Sequence, residues 1–210
     1  MARKKEPQLI DINQAKIVDV AKRLFHENGI ENTKVDDIAK EVGMSKSTLY
    51  VYFKSKEDIK NYISLEAMKY LYEELNNKIN DENNDFHYKF ISICNLFVVF
   101  KEKYPLNFNL IIEEISVDDD VLKNDKILNE IYEIGEKLNH VIILFLKKEL
   151  RLEQDDRLVS FIFFLWGSIY GICVLADNKK QYIKKTMGQS KEEFLQQSFE
   201  KLFLLLKERI

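Results

Sequence analysis

Residues 35–53 read VDDIAKEVGMSKSTLYVYF, and the spacing within this stretch predicts two short helices joined by a tight turn. The apolar residues of the first part recur at the spacing of one helix face; they are Val35, Ile38, Ala39 and Val42. Gly43 is expected to end this helix, because glycine readily adopts the left-handed conformation of a helix C-cap. Met44 and Ser45 then form the turn before the second helix. This spacing is typical of a helix-turn-helix.

The second short helix has two different faces. At ~100° per residue, Leu49 and Phe53 share the face that can pack on the first helix. The opposite face carries mostly polar side chains; they are Ser47, Thr48, Val51 and Tyr52. Such side chains can reach base edges in the major groove of DNA, and Lys46 stands at the positive end of the helix, where phosphate is favoured. The stretch therefore predicts a surface that reads DNA.

Composition sets the class of protein. The chain has 210 residues, of which 46% are hydrophobic and 32% charged, the balance of a folded globular protein. Its net charge of −3 is uneven, because residues 1–60 carry +2 and residues 61–210 carry −5. Cys94 and Cys173 are the only cysteines, which excludes a disulfide framework and indicates a reducing compartment.

Helical periodicity continues along the chain, and no stretch alternates for long enough to predict a strand. We expect an all-α fold of about nine helices, near residues 11–28, 35–42, 46–52, 56–79, 86–103, 105–116, 125–151, 156–177 and 191–208. Capping pairs support three of the starts; they are Thr33 with Asp36, Ser55 with Asp58, and Ser190 with Glu193. Two domains are expected, residues 1–56 and residues 57–210.

Residues 21–59 read AKRLFHENGIENTKVDDIAKEVGMSKSTLYVYFKSKEDI and contain the pattern LF…G…T…DIA…G-S-TLY-YF-K-SKE. On this pattern, residues 12–59 resemble the DNA-binding domain of the tetracycline-repressor (TetR) family of bacterial regulators. The resemblance covers about a quarter of the chain. It implies a dimeric regulator whose C-terminal helical domain binds an effector and a second subunit.

The resemblance also implies roles for single residues. Thr33 would cap the first helix of the motif and touch phosphate, Tyr50 and Tyr52 would hydrogen-bond the DNA backbone, and Lys56 would clamp a phosphate. Val51 departs from the family, in which a polar or aromatic residue is common, so base reading there is apolar or absent. The expected DNA-binding residues are Thr33, Ser45, Lys46, Ser47, Thr48, Tyr50, Val51, Tyr52 and Lys56.

Residues 158–176 read LVSFIFFLWGSIYGICVLA and contain no charged residue. That length is sufficient for a transmembrane helix, and the alternative is a helix buried on nearly all sides. The resemblance implies the buried helix, because the last two helices of the family form a four-helix bundle with those of a second subunit. The expected dimer residues are Gly167, Gly171, Phe194, Phe199, Leu202, Phe203 and Leu206.

The effector pocket is expected in the C-terminal half. The 25 Phe, Tyr and Trp residues of the chain favour an apolar or aromatic ligand. Candidate lining residues are Phe90, Cys94, Phe97, Phe108, Ile112, Ile134, Leu138, Phe164 and Ser168, each of which fits a plain core better than a pocket wall. His26, His87 and His140 lie far apart, so neither a metal site nor a cofactor is expected.

These features favour a cytoplasmic homodimer that binds a pseudo-palindromic DNA operator and is released by a small effector, as a repressor. No enzyme is expected, because the phosphate-binding glycine loop, GxSxG, HExxH and CxxC are absent from the sequence. Two alternatives stay open: a DNA-organising or division-linked protein on the same scaffold, and a membrane-attached regulator that uses residues 158–176. An N-terminal arm with Arg3, Lys4 and Lys5 either touches flanking DNA or is a solvated tail.

Overall fold

The computed structural model describes residues 7–112, 119–151 and 156–208, and these residues form helices joined by short connections, with no strand among them. The α-helices are α1 (Pro7–Asn28), α2 (Val35–Val42), α3 (Lys46–Leu49), α4 (Lys56–Ile79), α5 (Phe86–Lys103), α6 (Asp119–Asn124), α7 (Lys126–Leu150), α8 (Asp156–Asn178), α9 (Lys180–Met187) and α10 (Lys191–Glu208). A 3-10 helix covers Pro105–Ile111. The all-α prediction is confirmed.

Local signals place most of the helix ends where the sequence predicts them. Gly43 ends α2 with a φ of 78°, in the left-handed region. The hydroxyl of Ser45 caps α3 and that of Ser55 caps α4, each accepting a hydrogen bond from a backbone N–H three residues later. Ser190 and Glu193 form the predicted reciprocal pair at the start of α10, with distances of 3.1 and 2.7 Å.

Several boundaries differ from the prediction. The helix α3 ends at Leu49 instead of residue 52, because Val51 and Tyr52 donate their backbone N–H groups to carbonyls three residues back, as in a 3-10 turn. The predicted helix at 105–116 is a 3-10 helix at Pro105–Ile111, and residues 113–116 lie outside the described residues, as does the arm at residues 3–5. The helices α6 and α9 were not predicted, since both are short and largely polar.

Two hydrophobic clusters organise the described residues. The first joins α1, α2, α3 and the start of α4; its buried members are Ile17, Val18, Ala21, Phe25, Ile38, Ala39, Leu49, Phe53, Ile59 and Ile63. The second begins at Leu65 and gathers the apolar faces of α4, α5, α7, α8 and α10. Helix α4 begins at the predicted domain boundary at residue 56 and contributes to both cores, with Ile63 in the first and Leu65 in the second.

The long helices of the C-terminal domain alternate in direction between a near end, which contacts the N-terminal domain, and a far end. The end of α5 meets the end of α8, where Lys101 pairs with Asp177 at 2.6 Å. The first residue of α10, Lys191, pairs with the same Asp177 at 2.7 Å. At the near end, α1 reaches α4 through a Lys22–Glu66 ion pair of 2.8 Å. Thus α4, α7 and α10 run from the near end to the far end, whereas α5 and α8 run from the far end to the near end.

Candidate nucleic-acid interface

The segment formed by α3 and the turn after it carries most of the predicted DNA-binding residues on one exposed surface. Leu49 and Phe53 are buried and fix this segment to α1 and α2. The aliphatic side chain of Val51 is 69% exposed, and the large side chain of Tyr50 is 43% exposed. Ser47 is also exposed. An aliphatic side chain presented to solvent beside hydroxyl groups fits contact with base edges and thymine methyl groups.

Hydroxyl groups cluster at the start of α3. The Ser45 Oγ atom lies 2.9 Å from the Ser47 Oγ atom and 2.8 Å from the Thr48 Oγ1 atom. It also accepts a hydrogen bond of 3.1 Å from the Thr48 backbone N–H. A hydroxyl can rotate to donate or accept, so Ser47 and Thr48 can exchange these mutual contacts for base or phosphate oxygens.

Lys46 pairs with Asp36 of α2 at 2.6 Å, a partner that the sequence analysis did not identify. The hydrogen bond and the charge of Asp36 raise the pKa of Lys46. Both side chains are more than half exposed, and exposed ion pairs contribute little to stability. A DNA phosphate can therefore compete with Asp36 for this lysine.

Thr33 does not have its predicted role. Lys34, not Thr33, is the N-cap residue of α2. The Thr33 side chain is buried, and its hydroxyl lies 2.8 Å from the Gly29 carbonyl and 3.2 Å from the Leu24 carbonyl. This hydroxyl points back to the end of α1, so the predicted capping role of Thr33 is wrong, whereas its contact with phosphate stays a prediction.

Lys56 and Tyr52 also contact protein instead of projecting freely. The Lys56 Nζ atom donates to the backbone carbonyls of Ile30, at 2.7 Å, and Glu31, at 3.3 Å. The Tyr52 hydroxyl accepts a hydrogen bond of 2.8 Å from the Asn13 side chain in α1. Lys56 thus joins α4 to the turn between α1 and α2, and its predicted contact with a phosphate stays a prediction. No local sequence pattern reveals these partners, which lie 26 and 39 residues away.

Most of the residues predicted to line an effector pocket lie in the core of the C-terminal domain. Six of them are buried in the second hydrophobic cluster, where aromatic rings fill the space; they are Phe90, Cys94, Phe97, Phe108, Ile134 and Leu138. Ile112 is 51% exposed and Phe164 is 49% exposed, whereas Ser168 is half-buried. The choice between pocket and core, which the sequence left open, is decided for the core at six of nine positions.

A cavity of about 440 Å³ lies instead between the two domains, a volume typical of small-molecule sites. Its apolar walls are formed by Phe25, Ile30, Ile63, Tyr104, Pro105, Leu106 and Leu110. Its polar and charged walls are formed by Asp19, Lys22, Arg23, His26, Lys60, Ser64, Glu102, Lys103 and Asn107. The buried Asn107 amide donates a hydrogen bond of 2.9 Å to the Ser64 hydroxyl. Burial, and next the charge of Glu66, raises the pKa of Tyr104.

The α10 residues predicted for the dimer interface lie mostly inside the core of the protomer. Phe199, Leu202, Phe203 and Leu206 are at most 5% exposed and pack inside the C-terminal core, and Phe194 is half-buried against it. An exposed apolar face is present on α8 and the neighbouring α10; its members are Val159, Phe163, Phe164, Leu175, Leu204 and Leu205. Gly167 lies on this face, and a Cβ atom at Gly167 or Gly171 would meet nothing within 4 Å.

Helix α8 is also long and apolar enough to cross a membrane over Leu158–Asn178, with a mean hydropathy of 2.2 in its most apolar 18 residues. Length and composition alone do not distinguish a membrane span from a helix that is covered by protein. Within the described parts of the chain, His, Cys, Asp and Glu side chains form no group of three or more that could hold a metal ion.

Comparison with known proteins connects this surface to a family. Residues 17–63 match the family model of bacterial regulatory proteins of the tetR family. An HTH-type transcriptional regulator of Staphylococcus aureus (strain USA300) is 43% identical over 51 residues, which cover 24% of this chain and 28% of that protein. The match therefore spans just over a quarter of the relative's length and lies in the part that carries the helix-turn-helix pattern.

Solved structures extend the likeness to the whole fold. A TetR/AcrR-family regulator from Thermobifida fusca has a TM-score of 0.63, at 19% identity over 92% of this chain and 96% of that one. FadR from Bacillus halodurans has a TM-score of 0.62, at 20% identity over 97% of each chain. FadR from Bacillus subtilis, solved with stearoyl-CoA, has a TM-score of 0.59, at 21% identity over 89% and 95%. Residues 17–63 of this chain are thus similar to the DNA-binding domain of the tetR family of bacterial regulatory proteins, and the fold as a whole is similar to that of solved TetR/AcrR-family regulators.

Proposed function

We propose that this protein is a transcriptional regulator that binds a pseudo-palindromic DNA operator as a homodimer and leaves it when a small effector binds. The observation that carries the proposal is the exposed surface of α3 and its following turn, where Ser47, Tyr50 and Val51 face solvent on a buried support. Such a regulator works in the cytoplasm, where bacterial DNA is found. We infer that it represses transcription when it is bound to the operator.

The exposed apolar face of α8 and α10 supports the homodimer. Six large apolar side chains that are each about half exposed form an unusual surface for a monomer, and contact with the same face of a second copy would cover them. Gly167 and Gly171 would let the two copies of α8 approach closely. A two-fold dimer presents two recognition helices, which bind half-sites ~34–36 Å apart, or a multiple of that distance.

The interdomain cavity supports regulation by a small effector. Its walls come from α1 and the start of α4 on one side and from residues 102–110 on the other. A ligand here contacts both domains at once, so it favours the relative orientation that gives it the best fit. If that orientation separates the two recognition helices by a distance unsuited to the operator, the difference in affinity releases the DNA.

The cavity chemistry indicates an effector with an apolar body and an acidic group. Its apolar walls can hold a hydrocarbon or an aromatic ring, and Lys103 supplies a cation. Lys22, Arg23 and Lys60 also line the cavity, where an acidic group would compete with their partners Glu66, Glu41 and Glu57. FadR of Bacillus subtilis has a similar fold and was solved with stearoyl-CoA. Long-chain and aromatic carboxylic acids, together with their CoA thioesters, are therefore the first compounds to test.

The experiment is fluorescence anisotropy of the purified protein with duplex DNA from upstream of its own coding sequence. A scrambled duplex of equal length is the control, and both are measured over a salt series. We expect the operator to bind about a thousandfold or more tightly than the scrambled duplex. Equal weak binding to both would contradict an operator-specific regulator and favour the DNA-organising alternative.

Release of the operator by the effector is tested in the same assay. The compounds are added to the wild type and to Leu106→Trp, which places a large ring in the mouth of the interdomain cavity while keeping α3 unchanged. We expect a compound that releases the wild type to have at least tenfold less effect on the variant. Equal release from both proteins would place the effector site elsewhere.

A further inference from the structure

Helix α9 and its flanking residues form a basic surface in a domain that is acidic overall. Residues 61–210 carry a net charge of −5, whereas residues 179–190 contain four lysines and no Asp or Glu. Lys179, Lys180, Lys184 and Lys185 are all exposed, and none pairs with a carboxylate among the described residues. Buried Ile183 is the residue that fixes α9 to the protein.

The ion pairs around Asp177 place this basic surface at the near end of the C-terminal domain. Asp177 lies in the last turn of α8, three residues before α9 begins at Lys180, and Lys191 begins α10, four residues after α9 ends at Met187; the Asp177 and Lys191 side chains are 2.7 Å apart. Lys101, in the last turn of α5, also pairs with Asp177 at 2.6 Å. The residues that follow Lys101, Glu102 and Lys103, line the cavity against α1 of the N-terminal domain. Helix α9 is therefore at the end that faces the N-terminal domain.

The exposed apolar face of α8 and α10 brings α9 close to the proposed dimer axis. This face extends along α8 to Leu175, about one turn before α9 begins. When two copies pair through this face, both copies of α9 lie beside the interface, between the two N-terminal domains. The DNA between the two half-sites passes on that side of the dimer.

We propose that α9 is an accessory DNA-facing surface, in which these four lysines attract the phosphates of the central operator segment between the half-sites. This inference rests on the proposed function. Ser64, at the near end of the C-terminal domain, is eight residues after Lys56, which is ~12 Å along α4. Over a distance of this order the attraction is largely screened at 0.1 M salt, where the Debye length is ~10 Å, and is much stronger at 0.01 M, where it is ~30 Å.

The attraction is independent of base sequence. It strengthens binding to operator and scrambled DNA by the same factor and leaves the ratio of the two affinities unchanged. Glu192 and Glu193 follow in the first turn of α10 and reduce the local charge, but Glu193 is held by the backbone N–H of Ser190 at 2.7 Å. The unpaired charge on α9 remains positive.

The test uses the full-length protein with Lys180→Gln, Lys184→Gln and Lys185→Gln combined. The matched control combines Lys78→Gln, Lys148→Gln and Lys207→Gln, which removes the same charge from the far end, where α4, α7 and α10 terminate. Anisotropy is measured for both duplexes between about 0.05 and 0.3 M salt. We expect the α9 variant to lose about tenfold in affinity for both duplexes at the lowest salt. Its plot of log K against log salt should be shallower by about one or more. The control should bind like the wild type.

A second measurement locates the phosphates. The operator duplex is made with neutral methylphosphonate linkages in the central segment only. We expect this substitution to weaken the wild type and the control but to have little further effect on the α9 variant, because the interacting charges are then already removed. If the methylphosphonate linkages weaken the α9 variant as much as they weaken the wild type, the two losses of affinity are independent and the proposal is overturned.

The remaining outcomes separate this inference from the proposed function. If the wild type shows no salt-dependent DNA binding, the proposed function itself fails. If the wild type binds its operator and the α9 variant binds equally well, the inference alone fails. If the α9 variant keeps full DNA affinity but loses pelleting with vesicles of anionic phospholipid, the basic surface serves a membrane and the inference is wrong.

Discussion

The ammonium group of Lys56 donates a 2.7 Å hydrogen bond to the backbone carbonyl of Ile30. This contact ties the first residue of α4 to the turn between α1 and α2. Because α4 also runs through the C-terminal core, we expect a movement of that domain to reach the helix-turn-helix at this point. Lys56 thus joins α4 to the turn between α1 and α2, and the phosphate contact expected from its position in the sequence stays a prediction.

Lys56→Met should lower the stability of the N-terminal domain. Losing a charged hydrogen bond to a partly buried carbonyl costs about 1–2 kcal/mol, which corresponds to ~2–8 °C in the melting temperature of a chain of this size. Differential scanning calorimetry measures the change. Lys54→Met removes an exposed lysine from the same connection and should leave the melting temperature unchanged. An unaltered melting temperature in Lys56→Met, combined with a shallower salt dependence of DNA binding, would restore the phosphate role.

Val51→Ala should reduce discrimination between operator and scrambled DNA. The side chain is 69% exposed, so its truncation has little effect on folding, but loss of an apolar contact with a base edge costs about 1 kcal/mol, or roughly fivefold in operator affinity. Fluorescence anisotropy with both duplexes gives the ratio of the affinity for the operator to the affinity for scrambled DNA. Val99→Ala, at a 47% exposed position of α5, is the matched control. An equal loss on both duplexes would exclude base reading by Val51.

Phe163→Asp should dissociate the dimer without unfolding the protomer. Phe163 is 66% exposed on α8, and in the proposed dimer the new carboxylate would be buried without a partner. Sedimentation of the variant at micromolar concentration should give a mass near 25.0 kDa instead of twice that value. Tyr88→Asp, at a 56% exposed position of α5, should remain dimeric. A dimeric Phe163→Asp protein would move the interface elsewhere.

Phe203→Ala should instead destabilise the fold. The ring is 4% exposed and lies 5.2 Å from Phe86 and 5.5 Å from Phe90, measured between ring centroids. Removing a buried phenyl ring from such a cluster costs about 3–5 kcal/mol. Urea unfolding measures this loss. A variant with unchanged unfolding free energy and a weaker dimer would return Phe203 to the interface predicted from the sequence.

The two buried thiols should make stability fall at alkaline pH. Burial raises the pKa of Cys173 to about 12 and the pKa of Cys94 well above its usual value. The folded protein therefore keeps both thiols protonated, whereas the unfolded chain releases the protons above about pH 9. The free energy of unfolding should decrease from there by up to ~1.4 kcal/mol per pH unit for each thiol. Urea unfolding at pH 8 and pH 10, under reducing conditions, should show a smaller change in Cys173→Ala than in the wild type.

Local patterns in the sequence were sufficient for the helix-turn-helix and for the all-α class. Gly43, Ser45 and Ser55 act through their own backbone and the next three residues, so their effects are visible in a short stretch of sequence. The exposed DNA-reading face follows from the same stretch, since Leu49 and Phe53 bury one side of it.

The partners of Lys56, the position of the cavity and the exposed side of α8 and α10 depend on how the helices pack. A helix that is apolar on nearly every side has no periodicity to show which side faces the core. The sequence therefore does not distinguish Phe203 from Leu204, although Phe203 is buried and Leu204 is 57% exposed. Contacts such as Lys56 to Ile30 join residues far apart in the chain, and only the packed helices bring them together. The sequence therefore determines the local DNA-reading motif, whereas tertiary packing determines where a ligand and a second subunit can bind.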